Sequence, residues 1–446
     1  MLLLLKVLCK TAAVCAMATA VVQTMSGSKE AAALATTADM PPSFQLPELT
    51  GPYQVGTTSY YFVDPARNDI YTPNPTDKRE LMVQVFYPGT KEPGATPAPY
   101  LEDSVARASA PNFGVPPDNF VNLVHSFRTH AFPGVPVSTA SSSYPVLLFS
   151  HGFNTLPQLY TLQSEELASH GYIVANITHT YDSPVTEFPD GRIALLAPIF
   201  NQVFSDPESP ESINIIGKDI DVRAADARFV LNELERLNAS DPQSLFTGHL
   251  DLNRVGIFGH SLGGATAAEA MLLDSRFKAG IEMDGTLLGD AVEDGLEQPL
   301  MLMNSDLVSL DPRRQSFYEK LKNDAYNLTI KGTRHLSYTD LPLLFPLLET
   351  YYSPELAAEL KNANFGPINA KRGAEIIDDY TLAFFDKYLN SQNSPLLNGA
   401  DADYPEVQFS SRHGTPTEIP EPSGIAGAIA FAGGSLLFKR RSVPTP

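Results

Sequence analysis

The chain has 446 residues, of which 43% are hydrophobic and 18% charged, and its net charge at pH 7 is −20. This length and hydrophobic content allow a sizeable buried core in one large or two modest domains. The acidity argues against nucleic acid or anionic bilayers as partners, because both carry the same sign of charge as the protein.

The N-terminal segment, residues 1–35, has the features of a secretory signal peptide. Lys6 and Lys10 precede an apolar stretch, and small residues follow it up to Ala33-Leu34-Ala35, which matches an A-x-A cleavage site. A membrane anchor is the less favoured interpretation, because the apolar stretch is shorter than the about 20 residues of a spanning helix. We therefore expect the protein to be exported.

Both cysteines of the chain, Cys9 and Cys15, lie within this N-terminal segment. Its removal would leave no cysteine for a disulfide, a thiolate nucleophile or a metal site. The composition thus predicts a domain stabilised by its apolar core. We expect the chemistry of the protein to need neither a metal nor a cofactor.

The C-terminal segment, residues 420–446, carries a second processing pattern. Pro420-Glu421-Pro422 precedes an apolar run, and Lys439-Arg440-Arg441 follows it. This order resembles the PEP-CTERM sorting signal of bacterial exported proteins, and the alternative is a plain membrane anchor. The resemblance implies a bacterial protein of the periplasm, cell surface or medium. It also implies sorting machinery that processes the tail, and membrane association through the tail until then.

Segments rich in Pro, Thr, Ser and Asp, residues 36–50 and 391–419, are predicted as linkers on either side of one domain, residues 51–390. Within the domain, strand-like and helix-like patterns alternate. The predicted strands are residues 81–87, 144–149, 172–177, 255–258, 279–283, 300–303 and 326–330. The predicted helices are residues 158–169, 218–237, 265–273, 313–322 and 373–389.

Such alternation predicts an α/β fold, in which helices cover both faces of a mostly parallel sheet. Two long stretches, residues 93–143 and 182–216, interrupt the alternation. Insertions of this length are usually lids or spacers, so we predict that both form walls of a pocket.

A G-x-S-x-G motif, Gly259-His260-Ser261-Leu262-Gly263, lies between a predicted strand and an alanine-rich helix. This context is that of a nucleophile elbow, in which a strained turn lifts the serine hydroxyl above the sheet. The glycines are required because a Cβ atom there would collide with the neighbouring strand or helix. We predict that Ser261 is a catalytic nucleophile and that His260 only shapes the turn.

A nucleophilic serine needs a histidine base and a carboxylate that orients the histidine. Of the histidines after Ser261, His413 lies in the predicted linker, whereas His335 follows the last predicted strand and is the predicted base. Two acids follow neighbouring strands, Asp284 and Asp306. Strand counting favours Asp306, since the acid most often stands one strand later, but a minority of lipases place it where Asp284 stands.

Two backbone N–H groups are expected to stabilise the oxyanion of the reaction. One is the amide of Leu262, directly after the nucleophile. The other should follow an early strand, where Ser150-His151-Gly152-Phe153-Asn154 places the Phe153 amide after a glycine turn. His151 is predicted to be a structural support rather than a base.

Longer motifs indicate a family. The stretches that carry the resemblance are Gly51–Gly56, Val85–Pro88, His151-Gly152, Leu167–Val174, Gly259–Thr266, Asp274–Ile281 and Gly332–His335. Over roughly residues 51–390 the chain resembles the secreted, type II platelet-activating-factor acetylhydrolases, which are lipase-like α/β-hydrolases. The resemblance implies that fold, with Asp284 as the acid, since Asp284 stands 23 residues after Ser261 as in the family. It also implies Phe153 as the second oxyanion donor.

The family prefers short or oxidised sn-2 acyl groups on phospholipids, so the resemblance implies an esterase for short-acyl lipid esters. Departures from the family pattern are Leu262, where the animal enzymes commonly have Phe, the stretch 182–216, and the sorting tail. The apolar stretch 336–348 is either core or a lipid-like acyl pocket. The rival functions are a catalytically silent surface scaffold and a peptidase on the same fold.

Overall fold

The computed structural model describes residues 44–414. The predicted signal peptide, residues 1–35, and the predicted sorting signal, residues 420–446, lie outside the described residues, as do the outer parts of both predicted linkers. Across the described range, no helix combines the length and apolar character needed to cross a membrane.

Strands and helices alternate through most of the chain. The strands are β1 Phe44–Gln45, β2 Gln54–Asn68, β3 Lys78–Gly89, β4 Phe127–Arg128, β5 Phe132–Pro133, β6 Tyr144–Ser150, β7 Ile173–Thr178, β8 Val185–Glu187, β9 Ile193–Leu195, β10 Leu250–His260, β11 Phe277–Met283, β12 Leu300–Ser305, β13 Ala325–Ile330 and β14 Val407–Arg412. The α-helices are α1 Asp103–Ser109, α2 Pro117–Val124, α3 Thr161–Ser169, α4 Asn201–Ser205, α5 Pro210–Ala239, α6 Leu262–Leu273, α7 Asp290–Asp294, α8 Pro312–Lys320, α9 Leu341–Leu348, α10 Pro354–Asn364 and α11 Ala370–Leu389.

The main sheet has ten strands in the order β14-β13-β12-β11-β10-β6-β7-β3-β2-β5. The strands from β13 to β7 in this order are all parallel to their neighbours. Antiparallel pairs lie on both sides of them, β13 with β14, β7 with β3 and β3 with β2. Every predicted strand lies in this sheet.

The central strands are buried on both faces, as their continuous apolar sequences require. Alternate side chains enter two separate cores, because successive residues of a strand point to opposite faces. In β10, for example, Val255 and Ile257 pack into one core and Phe258 into the other. Helices α3 and α11 cover the Phe258 side, and α5, α6 and α8 cover the opposite side. The α/β prediction is confirmed.

Some elements differ from the sequence prediction, among them β1 in the predicted linker 36–50, the long strand β2, and the two described next. Helix α5 begins at Pro210, inside the stretch 182–216 that was predicted as an insertion forming a pocket wall, because Ser209 caps it by accepting a hydrogen bond from the Ser212 amide. The segment 391–419, predicted as a linker, contributes strand β14, which pairs with β13 along the sheet edge. Its short alternation of apolar and polar residues was obscured by the polar residues around it.

Candidate active site

Ser261 lies on a sharp turn between strand β10 and helix α6. Its backbone has φ 59° and ψ −121°, a strained conformation for a residue with a side chain. A Cβ atom at Gly263 would lie 1.9 Å from the carbonyl oxygen of Ser150, and one at Gly259 would lie 2.2 Å from the carbonyl oxygen of Gly263. Only glycines therefore allow β6, β10 and α6 to approach this closely around the turn.

A chain of hydrogen bonds joins Ser261 to His335 and Asp284. The distance from Ser261 Oγ to His335 Nε2 is 2.9 Å, and that from His335 Nδ1 to Asp284 Oδ2 is 2.8 Å. Because the carboxylate can only accept, the proton of the neutral imidazole lies on Nδ1 and leaves Nε2 to accept from the serine hydroxyl. Ser261 and His335 are 2% and 6% exposed, and Asp284 is fully buried.

Asp284 directly follows strand β11 in a left-handed backbone conformation, with φ 46°. Its Oδ1 accepts a hydrogen bond from the Ser305 amide at 2.6 Å, which leaves Oδ2 for the histidine. Burial opposes ionisation, but it is outweighed by the hydrogen bond from His335, by the charge that this ring carries when protonated and by the Arg314 charge, which lower the pKa of Asp284. The group is therefore a carboxylate at neutral pH.

The other candidate acid, Asp306, lies outside this hydrogen-bond chain. Asp306 Oδ2 accepts from the Gly332 amide at 2.8 Å and pairs with Arg334 Nη1 at 3.2 Å. Asp306 thus anchors the loop that carries His335 and is not part of the hydrogen-bond chain. The second candidate base, His413, is mostly exposed and lies near Asp324.

His260, which the sequence assigned only to the shape of the turn, holds the loop that carries His335 in place. Its Nε2 lies 2.8 Å from the carbonyl oxygen of His335, and its Nδ1 lies 2.8 Å from the Tyr160 hydroxyl. Nε2 must donate to the carbonyl, so Nδ1 accepts from the tyrosine. Burial, followed by the charge of His335, lowers the pKa of His260 to about 3. A neutral His260 therefore fixes the backbone of His335, a contact for which the local sequence carries no signal.

Of the two predicted oxyanion donors, Leu262 directly follows Ser261, and Phe153 lines a cavity that Ser261 also lines. Leu262 is the first residue of α6, so its amide has no partner within the helix. Phe153 lies in the turn after β6 and packs in the same small apolar cluster as Leu262. Within residues 44–414, neither amide donates to a backbone carbonyl. Both N–H groups are therefore free to donate to a bound substrate.

A cavity of about 100 Å³ opens beside Ser261 and His335. Both long insertions contribute to its wall, the first through Phe113 and the second through Pro184 and Phe204, as the sequence predicted. Its complete lining is Asn112, Phe113, Gly152, Phe153, Asn154, Thr155, Leu156, Leu159, Pro184, Phe204, His260, Ser261, His335, Leu336 and Leu341. The wall is mostly aliphatic and aromatic.

The apolar stretch 336–348 is divided between the two interpretations open from sequence. Leu336 and Leu341 line the cavity. Leu344 and Phe345 are buried in the core instead. In the part of the chain that the structure describes, no group of three or more His, Cys, Asp or Glu side chains could hold a metal ion.

Comparison with known proteins identifies relatives along most of the chain. The family model described as platelet-activating factor acetylhydrolase, isoform II, matches residues 39–402. A probable 1-alkyl-2-acetylglycerophosphocholine esterase of Arthroderma benhamiae is 29% identical over 84% of this chain and 96% of its own length. A platelet-activating factor acetylhydrolase of Cavia porcellus is 27% identical over 63% of this chain and 66% of its own length.

A solved structure shares the fold. The ferulic acid esterase from Streptomyces cinnamoneus aligns with a TM-score of 0.69 and 29% identity, over 82% of this chain and 99% of its own. The sheet order, the helices on both faces and this neighbour show an α/β-hydrolase fold with lid-like insertions.

Proposed function

The chain belongs to the platelet-activating factor acetylhydrolase isoform II family and is a carboxylic ester hydrolase, and from this premise we propose that it cleaves short-acyl lipid or phospholipid esters through an acyl-serine intermediate. The observation that carries the proposal is the hydrogen-bond chain from Ser261 through His335 to Asp284, which ends at a cavity.

In the first half of the proposed reaction, the Ser261 Oγ attacks the ester carbonyl carbon while its proton passes to His335 Nε2. The tetrahedral intermediate bears an oxyanion, which the amides of Phe153 and Leu262 stabilise by donating hydrogen bonds. The C–O bond to the leaving alcohol then breaks, and His335 gives its proton to the alkoxide oxygen. Asp284 stays ionised and stabilises the transient imidazolium.

In the second half, His335 Nε2 takes a proton from a water molecule as its oxygen attacks the acyl-serine carbonyl. The same two amides hold the second oxyanion. Collapse of this intermediate releases the carboxylic acid and returns the proton from His335 to Ser261 Oγ. The neutral His335, with its proton on Nδ1 facing Asp284, supports both steps, because Nε2 is free to accept in each.

The dimensions and chemistry of the cavity support a short acyl group. A volume of about 100 Å³ is well below the roughly 300–1,000 Å³ of pockets that enclose drug-sized ligands. Phe153, Phe204 and Leu341 on its wall favour an aliphatic chain over a charged one. The printed name of the Arthroderma relative also refers to an acetyl ester.

Export is the second part of the proposal. It is supported by the signal-like residues 1–35 and by the sorting-signal pattern of residues 420–446. The protein would act in the periplasm, at the cell surface or outside the cell, and the membrane would hold it through its tail until processing.

The experiment is a rate comparison on p-nitrophenyl esters of graded chain length, an sn-2 acetyl phospholipid and a feruloyl ester, for wild type and Ser261→Ala. We expect the highest kcat/KM on acetyl to butyryl esters. The kcat of Ser261→Ala should fall by at least about 10³-fold with the fold retained. Near-normal activity of the variant would contradict the mechanism, and inactivity of the wild type on every ester would favour a silent scaffold. An amide analogue of one short acyl ester is tested beside that ester, and clearly faster cleavage of the amide would indicate a peptidase.

A further inference from the structure

The peptide group between Gly152 and Phe153 is held at its carbonyl oxygen. This oxygen accepts hydrogen bonds from His151 Nδ1 at 2.8 Å, from the Thr155 amide at 3.2 Å and from the Thr155 hydroxyl. Three donors on two residues leave the carbonyl little freedom to rotate. The orientation of the whole peptide plane follows, because the six atoms of a peptide are coplanar.

The N–H of the same peptide group belongs to Phe153. No peptide bond among the described residues is cis, so this N–H points in the opposite direction from the Gly152 carbonyl. It therefore faces away from His151 and Thr155, at a residue that lines the cavity beside Ser261. A rotation of the peptide plane would turn the proposed oxyanion donor away from the substrate.

The position and proton of the His151 ring are also determined. The His179 amide donates to His151 Nε2 at 3.2 Å, so the single ring proton lies on Nδ1 and faces the Gly152 carbonyl. Arg223 Nη2 lies 3.3 Å from the same Nδ1, but it donates to Asp182 Oδ1 at the shorter distance of 2.6 Å. Arg223 Nη1 donates to the His151 carbonyl at 2.8 Å, and Asp182 holds the other side of that guanidinium at 2.6 Å. Burial, followed by the Arg223 charge, lowers the pKa of His151 well below its usual range.

We propose that His151 is a positioning residue for the esterase reaction, which directs the Phe153 N–H at the oxyanion by donating a hydrogen bond from Nδ1 to the Gly152 carbonyl. The inference rests on the proposed function and adds a specific role for a residue that sequence analysis assigned only to structural support. His151 takes no proton in the reaction and lies outside the cavity lining, so it acts through the peptide group alone.

The test compares His151→Leu with His151→Asn. Leucine removes the donor, whereas the asparagine side-chain NH₂ group can occupy the place of Nδ1 and donate to the same carbonyl. Loss of an oxyanion-hole donor costs about 10²- to 10³-fold in kcat. A misdirected donor retains part of its effect, so we expect His151→Leu to lose about 10- to 10²-fold in kcat with little change in KM. His151→Asn should recover most of that loss.

Inhibitor binding distinguishes a misdirected Phe153 N–H from a general disturbance of the active site. A trifluoromethyl ketone forms a hemiketal with Ser261 whose oxygen occupies the oxyanion site, while the corresponding alcohol binds without forming an oxyanion. Across the variants, affinity for the ketone should fall in parallel with kcat, and affinity for the alcohol should stay constant. Ser150→Ala is the matched control, because the Ser150 hydroxyl contacts His179 and Arg223, which surround His151, but does not contact the Gly152 carbonyl. It therefore disturbs the same buried network without removing a donor to that carbonyl. It should leave the ratio of the two affinities unchanged.

A folded His151→Leu with wild-type kcat would overturn the proposal, and so would an asparagine variant as slow as the leucine one. If His151→Leu does not fold, Thr155→Val removes another donor to the same carbonyl. It should show a smaller loss of the same kind, and unchanged ketone affinity there would also overturn the proposal. The Ser261→Ala variant tests the proposed function separately, because its loss of activity does not depend on how His151 acts. If Ser261→Ala stays active, the proposed function fails, whatever the His151 variants show.

Discussion

Residues 44–414 contain two Ser–His–Asp hydrogen-bond chains with the same order of atoms. In the second chain, Ser150 Oγ lies 2.9 Å from His179 Nε2, and His179 Nδ1 lies 3.0 Å from Asp226 Oδ2. These distances nearly equal those of the chain that ends at Ser261. All three residues of the second chain are fully buried, and none lines the cavity. Connectivity alone therefore does not distinguish an active site from a structural network.

Two physical differences separate the chains. Ser261 projects from a strained turn onto a cavity, whereas Ser150 ends a buried strand. In addition, Arg79 donates two hydrogen bonds to Asp226, at 3.1 and 2.7 Å. Burial and the Arg223 charge lower the pKa of His179 to about 4. Such an imidazole is a poor acceptor for a serine proton at neutral pH, so the second chain serves stability.

The largest expected difference comes from the two acids. Asp284→Asn should lower kcat by about 10⁴-fold while the fold is retained, because the amide favours the wrong tautomer of His335. Asp226→Asn leaves the buried Arg79 incompletely paired, so it should lower the free energy of unfolding by about 3–5 kcal/mol. Its kcat, measured on the folded fraction, should stay within about 10-fold of wild type. Urea unfolding measures the free energy of unfolding, and p-nitrophenyl acetate hydrolysis measures kcat. Equal losses of kcat in the two variants would show that the two hydrogen-bond chains do not differ in function.

The next effect is a pH dependence of stability from His179. The pKa of this group is about 4 in the folded protein and ordinarily 6.5. As pH falls from 6.5 to 4, the unfolded chain therefore binds a proton that the folded protein does not. The free energy of unfolding should fall with decreasing pH by up to about 1.4 kcal/mol per unit, or about 3 kcal/mol over the window. Urea unfolding of His179→Gln should show a flatter slope between pH 6.5 and 4.5; an unchanged slope would contradict the assignment.

The smallest effect concerns the cavity, which borders the Ser261–His335–Asp284 chain and not the Ser150–His179–Asp226 chain. Phe204 lines it and packs against Phe153, with ring centroids 5.6 Å apart. Phe204→Ala should admit longer acyl groups, at about 0.8 kcal/mol, or roughly fourfold in relative kcat/KM, for each additional buried methylene. Rates on acetyl to decanoyl esters measure this shift. Phe229→Ala, which changes an aromatic residue away from the cavity, should leave the chain-length profile unaltered.

Local patterns predicted the parallel sheet, because its strands are buried, continuous apolar runs with helical periods between them. They also indicated Ser261 and His335, which the structure joins directly. Strand counting favoured Asp306, and only the family resemblance favoured Asp284. Strand counting could not decide between the two acids, because the choice depends on local backbone conformation and contacts. Asp284 has a positive φ, and the Asp306 carboxylate accepts a hydrogen bond from Gly332 instead of reaching His335.

Other features depend on contacts between distant parts of the chain. His260 meets the carbonyl of His335 across 75 residues, and Arg223 meets that of His151 across 72. Neither contact has a local sequence signal. Strand β14 likewise becomes recognisable only through its pairing with β13. Periodicity describes one element at a time, so it cannot predict such partners.

We conclude that only one of the two hydrogen-bond chains contains a nucleophile. The most direct measurement is reaction of the folded protein with a fluorophosphonate, followed by peptide mass spectrometry of the product. We expect one adduct, on Ser261, which Ser261→Ala abolishes and Ser150→Ala leaves intact. An adduct on Ser150, or no adduct on Ser261 in an enzyme that hydrolyses esters, would contradict it.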